Sequence, residues 1–337
     1  MSLLNFSRWM LIIGAAAATA SCGVSRVPIS LPDVLQGGTS AAAAPTAYLH
    51  ASASARKESS WMSSHAASQN LLYVSEVRSV AVYSYPQRKL QGTIKHFYIA
   101  TGMCVDKGGD VFVVDSGYGK IFEYAHGGTK RLVTLDSPTK DPVGCAIDPT
   151  TGDLAVGSLG FGSKATIAIY KNARGKPVTY TDSAFDEFFF CGYDNNGNLF
   201  ADGITAPGSG NFALAELPQG KTTLMTITVD QYIVFPGGVQ WDGKHLAIGN
   251  QNSAIYEFAV SGSTATNVGT TELGSGATYV KQFWIQGQTV IAPNVYIKKE
   301  ARSNVLFYAY PAGGKATQKI TDSVKGAQGA VVSLATK

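Results

Sequence analysis

The sequence predicts an all-β fold: a six-bladed β-propeller of four-stranded antiparallel blades, closed by the C-terminal strand pairing with the N-terminal blade. Three observations predict it. A short motif, Gly102-Met103-Cys104-Val105-Asp106, returns as Gly144-Cys145-Ala146-Ile147-Asp148, as Phe190-Cys191-Gly192-Tyr193-Asp194 and as Gly238-Val239-Gln240-Trp241-Asp242. Its acid recurs about every 40 to 50 residues, the span of one blade. Glycine is abundant, at 37 of 337 residues, and aromatics make up 10%, a balance that suits many short strands joined by tight turns. Finally, the first repeat lacks an innermost strand, and residues 326–333 at the end of the chain match the missing piece.

Taken in order, residues 1–8 carry Arg8, and residues 9–20 form an apolar run too short to cross a bilayer but of signal-peptide length. The run ends in Ala18-Thr19-Ala20-Ser21-Cys22-Gly23. Small residues before a cysteine resemble the bacterial lipobox, so residues 1–21 are expected to be removed and Cys22 lipidated; Ala18-Thr19-Ala20 also fits an ordinary A-x-A cleavage site. Residues 22–69 are rich in Ser and Ala without sustained apolar periodicity, and read as a flexible tether. Within it Trp61 and Met62 are the bulky pair, read as incidental packing against the domain.

The propeller is expected over residues 70–337. Each repeat opens on the motif strand, turns through Gly or Asn, as in Lys107-Gly108-Gly109-Asp110 and Asn195-Asn196-Gly197-Asn198, and continues into an apolar second strand. Second strands are read at 111–115, 154–158, 199–202, 246–250 and 290–294, and third strands at 121–124, 167–170, 212–217, 255–258 and 305–310. The first repeat starts directly with second- and third-type strands at 71–75 and 80–86. Pairing its exposed edge with residues 326–333 leaves no open blade in the circle.

The run Pro142-Val143-Gly144-Cys145-Ala146-Ile147-Asp148, followed by Gly152-Asp153-Leu154-Ala155-Val156, resembles the NHL-repeat and gluconolactonase-like (streptogramin-lyase-like) group of six-bladed propellers. The resemblance spans residues 70 to 337 and implies the fold more strongly than any function, because this architecture hosts lactonases, lyases, binding modules and scaffolds. Gluconolactonase-like members hold a divalent metal with Asn or Asp just before the inner-strand Gly, together with a Glu from another blade. The aligned residues here are Thr101, Val143, Phe189, Gly237, Gln282 and Gln328, which offer no such oxygen cage. Streptogramin-lyase-like members use a His near the channel. Among His50, His65, His96, His126 and His245, His96 alone is expected on the loop face, without an orienting partner.

Second strands end at the loop face in Ser75, Asp115, Ser158, Asp202, Asn250 and Asn294. This polar series reads either as a ligand-binding ring or as local caps on backbone amides. The inter-blade segments add aromatic candidates, Phe188 and Tyr279 among them, although the run Phe188-Phe189-Phe190 also suits packing between blades. Longer loops at 157–164, 203–211 and 295–303 are further places for recognition.

Cys104 lies one residue later in its repeat than Cys145 and Cys191 and points to the other face of its sheet, so Cys104 and Cys145 either face each other as a disulfide or remain buried thiols. No Cys-x-x-Cys pair marks a zinc site, and neither a metal nor another cofactor is expected. The net charge of +4 is small for the length and no basic stripe is present, so nucleic acid is not an expected partner. The sequence thus points to an exported protein of the cell envelope, lipid-anchored and facing the periplasm or the exterior. It would bind a carbohydrate, peptide or protein at its loop face without catalysis. The alternative is a metal-dependent lactonase or lyase built on relocated acids such as Asp115 and Asp202.

Overall fold

The computed structural model describes residues 59–336, apart from 162–163, 206–209, 252–253, 275, 296–302 and 323. The expected signal segment, Cys22 and most of the expected tether lie outside the described residues, as do Tyr296, Lys298, Lys299, Glu300 and Arg302 of the loop after residue 295.

Strands run in chain order as β1 (Trp61–Met62), β2 (Leu71–Glu76), β3 (Ser79–Ser84) and β4 (Leu90–Lys95). A second group follows as β5 (Ala100–Val105), β6 (Val111–Asp115), β7 (Lys120–Tyr124) and β8 (Arg131–Asp136). The third comprises β9 (Pro142–Ile147), β10 (Leu154–Ser158), β11 (Thr166–Tyr170) and β12 (Val178–Tyr180). The fourth is β13 (Phe185–Tyr193), β14 (Leu199–Thr205), β15 (Phe212–Leu217) and β16 (Met225–Val229). The fifth is β17 (Pro236–Trp241), β18 (Leu246–Asn250), β19 (Ala254–Ser261) and β20 (Thr264–Glu272). The last holds β21 (Trp284–Gln286), β22 (Thr289–Asn294), β23 (Asn304–Ala309) and β24 (Gly313–Ile320), and β25 (Ala327–Ser333) ends the series.

Each group is an antiparallel meander in chain order, and β25 completes the first by pairing with β2 from Leu71↔Ser333 to Glu76↔Ala327. Strand β1 adds an outer edge, with Trp61 opposite Thr93 and Met62 opposite Gly92 of β4. Trp61 and Met62 therefore belong to the sheet, upstream of the boundary expected at residue 70. The fourth and fifth meanders also touch through a short parallel pairing of β16 with β20. The innermost strands contact one another in a closed circuit, β5 to β9, β13, β17, β21, β25 and back to β5. This is a propeller-like arrangement in which the last strand joins the ring to its beginning.

The repeated motif has a direct physical reading. Its glycines sit where inner strands meet: a Cβ on Gly102 would lie 2.6 Å from the Val143 carbonyl oxygen, and one on Gly144 would lie 2.7 Å from the Phe190 ring. Its acid turns the chain into the second strand. Asp106, Asp148, Asp194 and Asp242 each accept backbone N–H groups two residues on, from Gly108 at 2.8 Å, Thr150 at 2.7 Å, Asn196 at 2.8 Å and Lys244 at 2.7 Å. These are Asx turns, which need a short carboxylate at that place.

The core lies between successive sheets. Tyr73, Val113, Phe122 and Val331 fill one such layer, and Phe190, Leu214, Ile248 and Phe258 another. Cys104 and Cys145 are joined by a disulfide, with Cα atoms 5.6 Å apart, linking β5 to β9. Cys191 is a buried free thiol, and burial pushes its ionisation far up.

Candidate functional site on the loop face

In an antiparallel meander the loops from second to third strand and those leading into the next meander leave from the same face. The polar side chains that end the second strands lie just beneath it, and all six are buried. Asp115 accepts three backbone amides: Tyr98 at 2.8 Å, Ile99 at 2.9 Å and Tyr118 at 3.1 Å. Asn294 accepts from the amides of Thr278 at 2.8 Å and Tyr279 at 3.0 Å, while its Nδ2 donates to the Gly276 carbonyl at 2.9 Å. Asp202 accepts from the Phe190 amide at 2.7 Å. Its second oxygen has no hydrogen-bond partner among the described residues, and burial raises this carboxyl well above the ordinary range. Ser75 donates to the Thr101 carbonyl. The hydroxyl of Ser158 and the amide oxygen of Asn250 are buried without a hydrogen-bond partner among the described residues.

Asp115, Asn294 and Asp202 thus fasten the segment that enters each meander to the end of its second strand. The acids that a relocated lactonase chemistry would use sit below the surface, with Asp115 committed to three amides. Phe188 is fully buried and stacks on Phe185 at 4.5 Å, and Phe189 and Phe190 are buried beside it. Tyr279 is buried too; its hydroxyl lacks a partner among the described residues, and burial pushes its phenol up. His96 is exposed in the segment between β4 and β5, and its backbone carbonyl accepts from Arg131 at 2.9 Å.

Above Asp115 the same loop ends present an aromatic platform. Tyr98, in the link between β4 and β5, is 42% exposed, and Tyr118, in the loop between β6 and β7, is 53% exposed. Their rings lie 5.6 Å apart at 38°. The Arg78 guanidinium, from the turn between β2 and β3, sits 4.7 Å from the Tyr98 ring centre, within cation–π range. The Tyr98 ring also passes so close to Gly117 that any Cβ there would collide with it. One buried carboxylate therefore holds the backbone of both tyrosines, and one glycine makes room for a ring between them. Sequence reading missed this pair because each tyrosine is isolated in the chain. The available signal was Tyr98 and Tyr118 flanking a second-strand Asp within one repeat.

The channel side of the ring carries a second cluster. Lys281 is only 8% exposed; its ammonium donates to Gln328 Oε1 at 2.7 Å and lies 5.9 Å from the Tyr279 ring centre. Burial lowers this amine to about 8. Gln282, one residue on, reaches over Gly329 of β25 to β5. There its Oε1 accepts from the Met103 amide at 2.9 Å and its Nε2 donates to the Met103 carbonyl at 2.7 Å. A cavity of about 220 Å³ among the inner strands is lined by Met103, Val105, Ile147, Tyr193, Trp241 and Trp284. Gln282 also borders it.

No family model matches the chain, and no curated protein matches it. Solved structures do share its fold. A chain in the crystal structure of a nidogen/laminin complex superposes with a TM-score of 0.64 at 12% identity, covering 80% of this chain and 100% of that one. A protein of unknown function from Bacteroides caccae gives 0.60 at 13% identity, over 78% of this chain and 98% of its own. The β-propeller domain of Cps50 (Swd1) from Myceliophteria thermophila gives 0.53 at 12% identity, over 80% and 88%. At such identities the likeness establishes the β-propeller fold, and function has to be argued from the site.

Proposed function

We propose that the chain is a six-bladed propeller of the NHL-repeat and gluconolactonase-like type, exported, held at a membrane through a lipidated Cys22, and acting as a non-catalytic binding module through its loop face. The six meanders and the inner-strand motifs support the blade count and the kinship. The apolar run before Cys22 supports export, and the disulfide suits an oxidising compartment.

The observation that carries the binding role is the Tyr98–Tyr118–Arg78 platform, held from beneath by Asp115. Tyrosine and arginine are the residues in which binding energy concentrates at protein interfaces. Small-molecule sites, by contrast, are concave and bury most of their ligand. An open aromatic surface of this kind fits a protein or peptide partner better than a small substrate.

Photo-crosslinking residues placed at 98 and 118 in cells are expected to trap a discrete partner, and the same probe at Lys107 on the opposite face is not. Adding Arg78→Ser to the probe-bearing chain is expected to reduce the trapped band at least severalfold. Trapping from Lys107 alone, or from neither face, would remove the basis for the proposal.

A further inference from the structure

On the face opposite the platform, one meander gathers three potential metal ligands. Asp242 follows β17, His245 precedes β18 and Glu257 lies on β19. One ligand atom from each lies within 4.8 Å of the others, with His245 Nδ1 at 4.0 Å from Asp242 Oδ2. We propose that Asp242, His245 and Glu257 form a binding site for one divalent first-row transition ion of the zinc type.

The repeat supplies its own control. Glu123 on β7 faces Phe112, the second residue of β6, and Glu257 on β19 faces Ala247, the second residue of β18, so the two acids are equivalent. Both are buried. Glu123 is neutralised by Arg174, whose guanidinium lies 2.8 Å from its Oε2. Among the described residues Glu257 has no Lys or Arg partner, and the acid of its own turn, Asp242, stands beside it.

Nor is Glu257 satisfied by neutral donors. Among the described residues the hydroxyl of Thr271 is the one group within hydrogen-bond distance, at 3.1 Å from Oε1, and its single proton has a nearer acceptor in the Pro311 carbonyl at 2.9 Å. A carboxylate only 7% exposed is thereby left without a committed donor, a costly arrangement unless a cation completes it. Facing strand β20 contributes Gly269 opposite Glu257, and a Cβ there would lie 2.8 Å from Oε2, so the glycine leaves room for this carboxylate.

The other two donors are ready for a ligand role. Neither ring nitrogen of His245 makes a hydrogen bond among the described residues, and the Asp242 turn already holds the backbone of His245 at 2.6 Å. Asp242 spends Oδ1 on that turn and directs Oδ2 to the cluster, where Tyr310 donates to it at 2.6 Å. At the corresponding place other repeats carry Asp110, Asp153 and Asn198. The imidazole is what turns a hard oxygen pair into a mixed N/O set, which suits zinc and its neighbours better than calcium or magnesium.

The test is titration of the chelator-stripped full chain with Zn²⁺, followed by calorimetry and by thermal melting. One saturable equivalent per chain and a rise in Tm are expected, with at least tenfold weaker uptake in His245→Ala and in Glu257→Gln and no change in His126→Ala. Magnesium in large excess is expected not to compete. Absence of saturable uptake by the unaltered chain, or uptake that both variants retain, would overturn the site. Should either variant fail to fold, anomalous scattering from zinc-soaked crystals of the unaltered protein decides: a peak among the three side chains supports the site, and zinc found elsewhere refutes it.

Discussion

At the scale of single residues, position in a turn or strand decided what each polar side chain does. Asp106, Asp148, Asp194 and Asp242 were legible in the sequence as a periodic mark, and hydrogen bonding shows why the mark is periodic, since each closes an Asx turn. Asp115 was legible as the end of a second strand, but sequence reading left open whether it meets a ligand or a backbone. Its carboxylate accepts three backbone amides, two of them from tyrosines. Lys281 was visible only as one polar residue in an inter-blade segment, because burial of a single side chain leaves no periodic trace. Its amine titrates near 8 in the folded chain, lowered by burial, against about 10.4 when unfolded. Between these values the unfolded chain binds the extra proton, so Lys281 makes stability rise as pH rises from about 8 to about 10.4; below about 8 the buried charge is a constant cost. Replacing it in Lys281→Met is therefore expected to stabilise the protein near neutral pH and to flatten that alkaline rise, measured by urea unfolding at pH 7 and pH 10. Identical pH slopes in the two proteins would refute this account.

At the scale of strands, the inner, second and third strands of each repeat were readable because one or both faces are buried. The expected 111–115, 154–158 and 246–250 coincide with β6, β10 and β18. The outer strands were not readable. Strand β8 has the pattern Arg-Leu-Val-Thr-Leu-Asp with only Leu135 buried, and β20 alternates around Thr, Asn and Gly, so neither offers the apolar alternation that marks a strand from sequence. Strand β1 was hidden for the same reason, two residues long and edged by Ser and Ala. The disulfide acts between elements, tying β5 to β9 across a sequence separation of 41. Loop closure of that size is worth about 4 kcal/mol in the chain-entropy description. A Cys104→Ser, Cys145→Ser protein is expected to fold with a Tm lower by several degrees, and reductant is expected to shift the unaltered protein's melting toward the same value. Equal melting of oxidised and reduced forms would show that the link contributes nothing.

At the scale of the whole molecule, the ring was legible from two complementary deficits, an inner strand missing at one end of the repeats and present at the other. Strand β25 pairs with β2 in register, and its Ala327, Ala330 and Val332 share a buried layer with Leu72 and Val74 of β2. Removing residues 327–337 is expected to leave β2 as an unprotected edge, which invites pairing with another chain. The truncated protein should associate in sedimentation experiments and bind a hydrophobic dye, and a peptide spanning 326–337 should reverse both effects. A monomeric truncated chain melting at the same temperature would contradict the closure mechanism.

The Gln282 side chain adds a consequence for that closure. It crosses above Gly329 and grips the backbone of Met103 at both its donor and its acceptor, so the meanders on either side of the seam are tied by a bond belonging to neither chain end. Peeling of the last strand is therefore expected to leave this cross-tie in place, so that the neighbouring meanders stay joined. With that tie kept, the seam is expected to work as a latch that releases and reseats without the molecule unrolling.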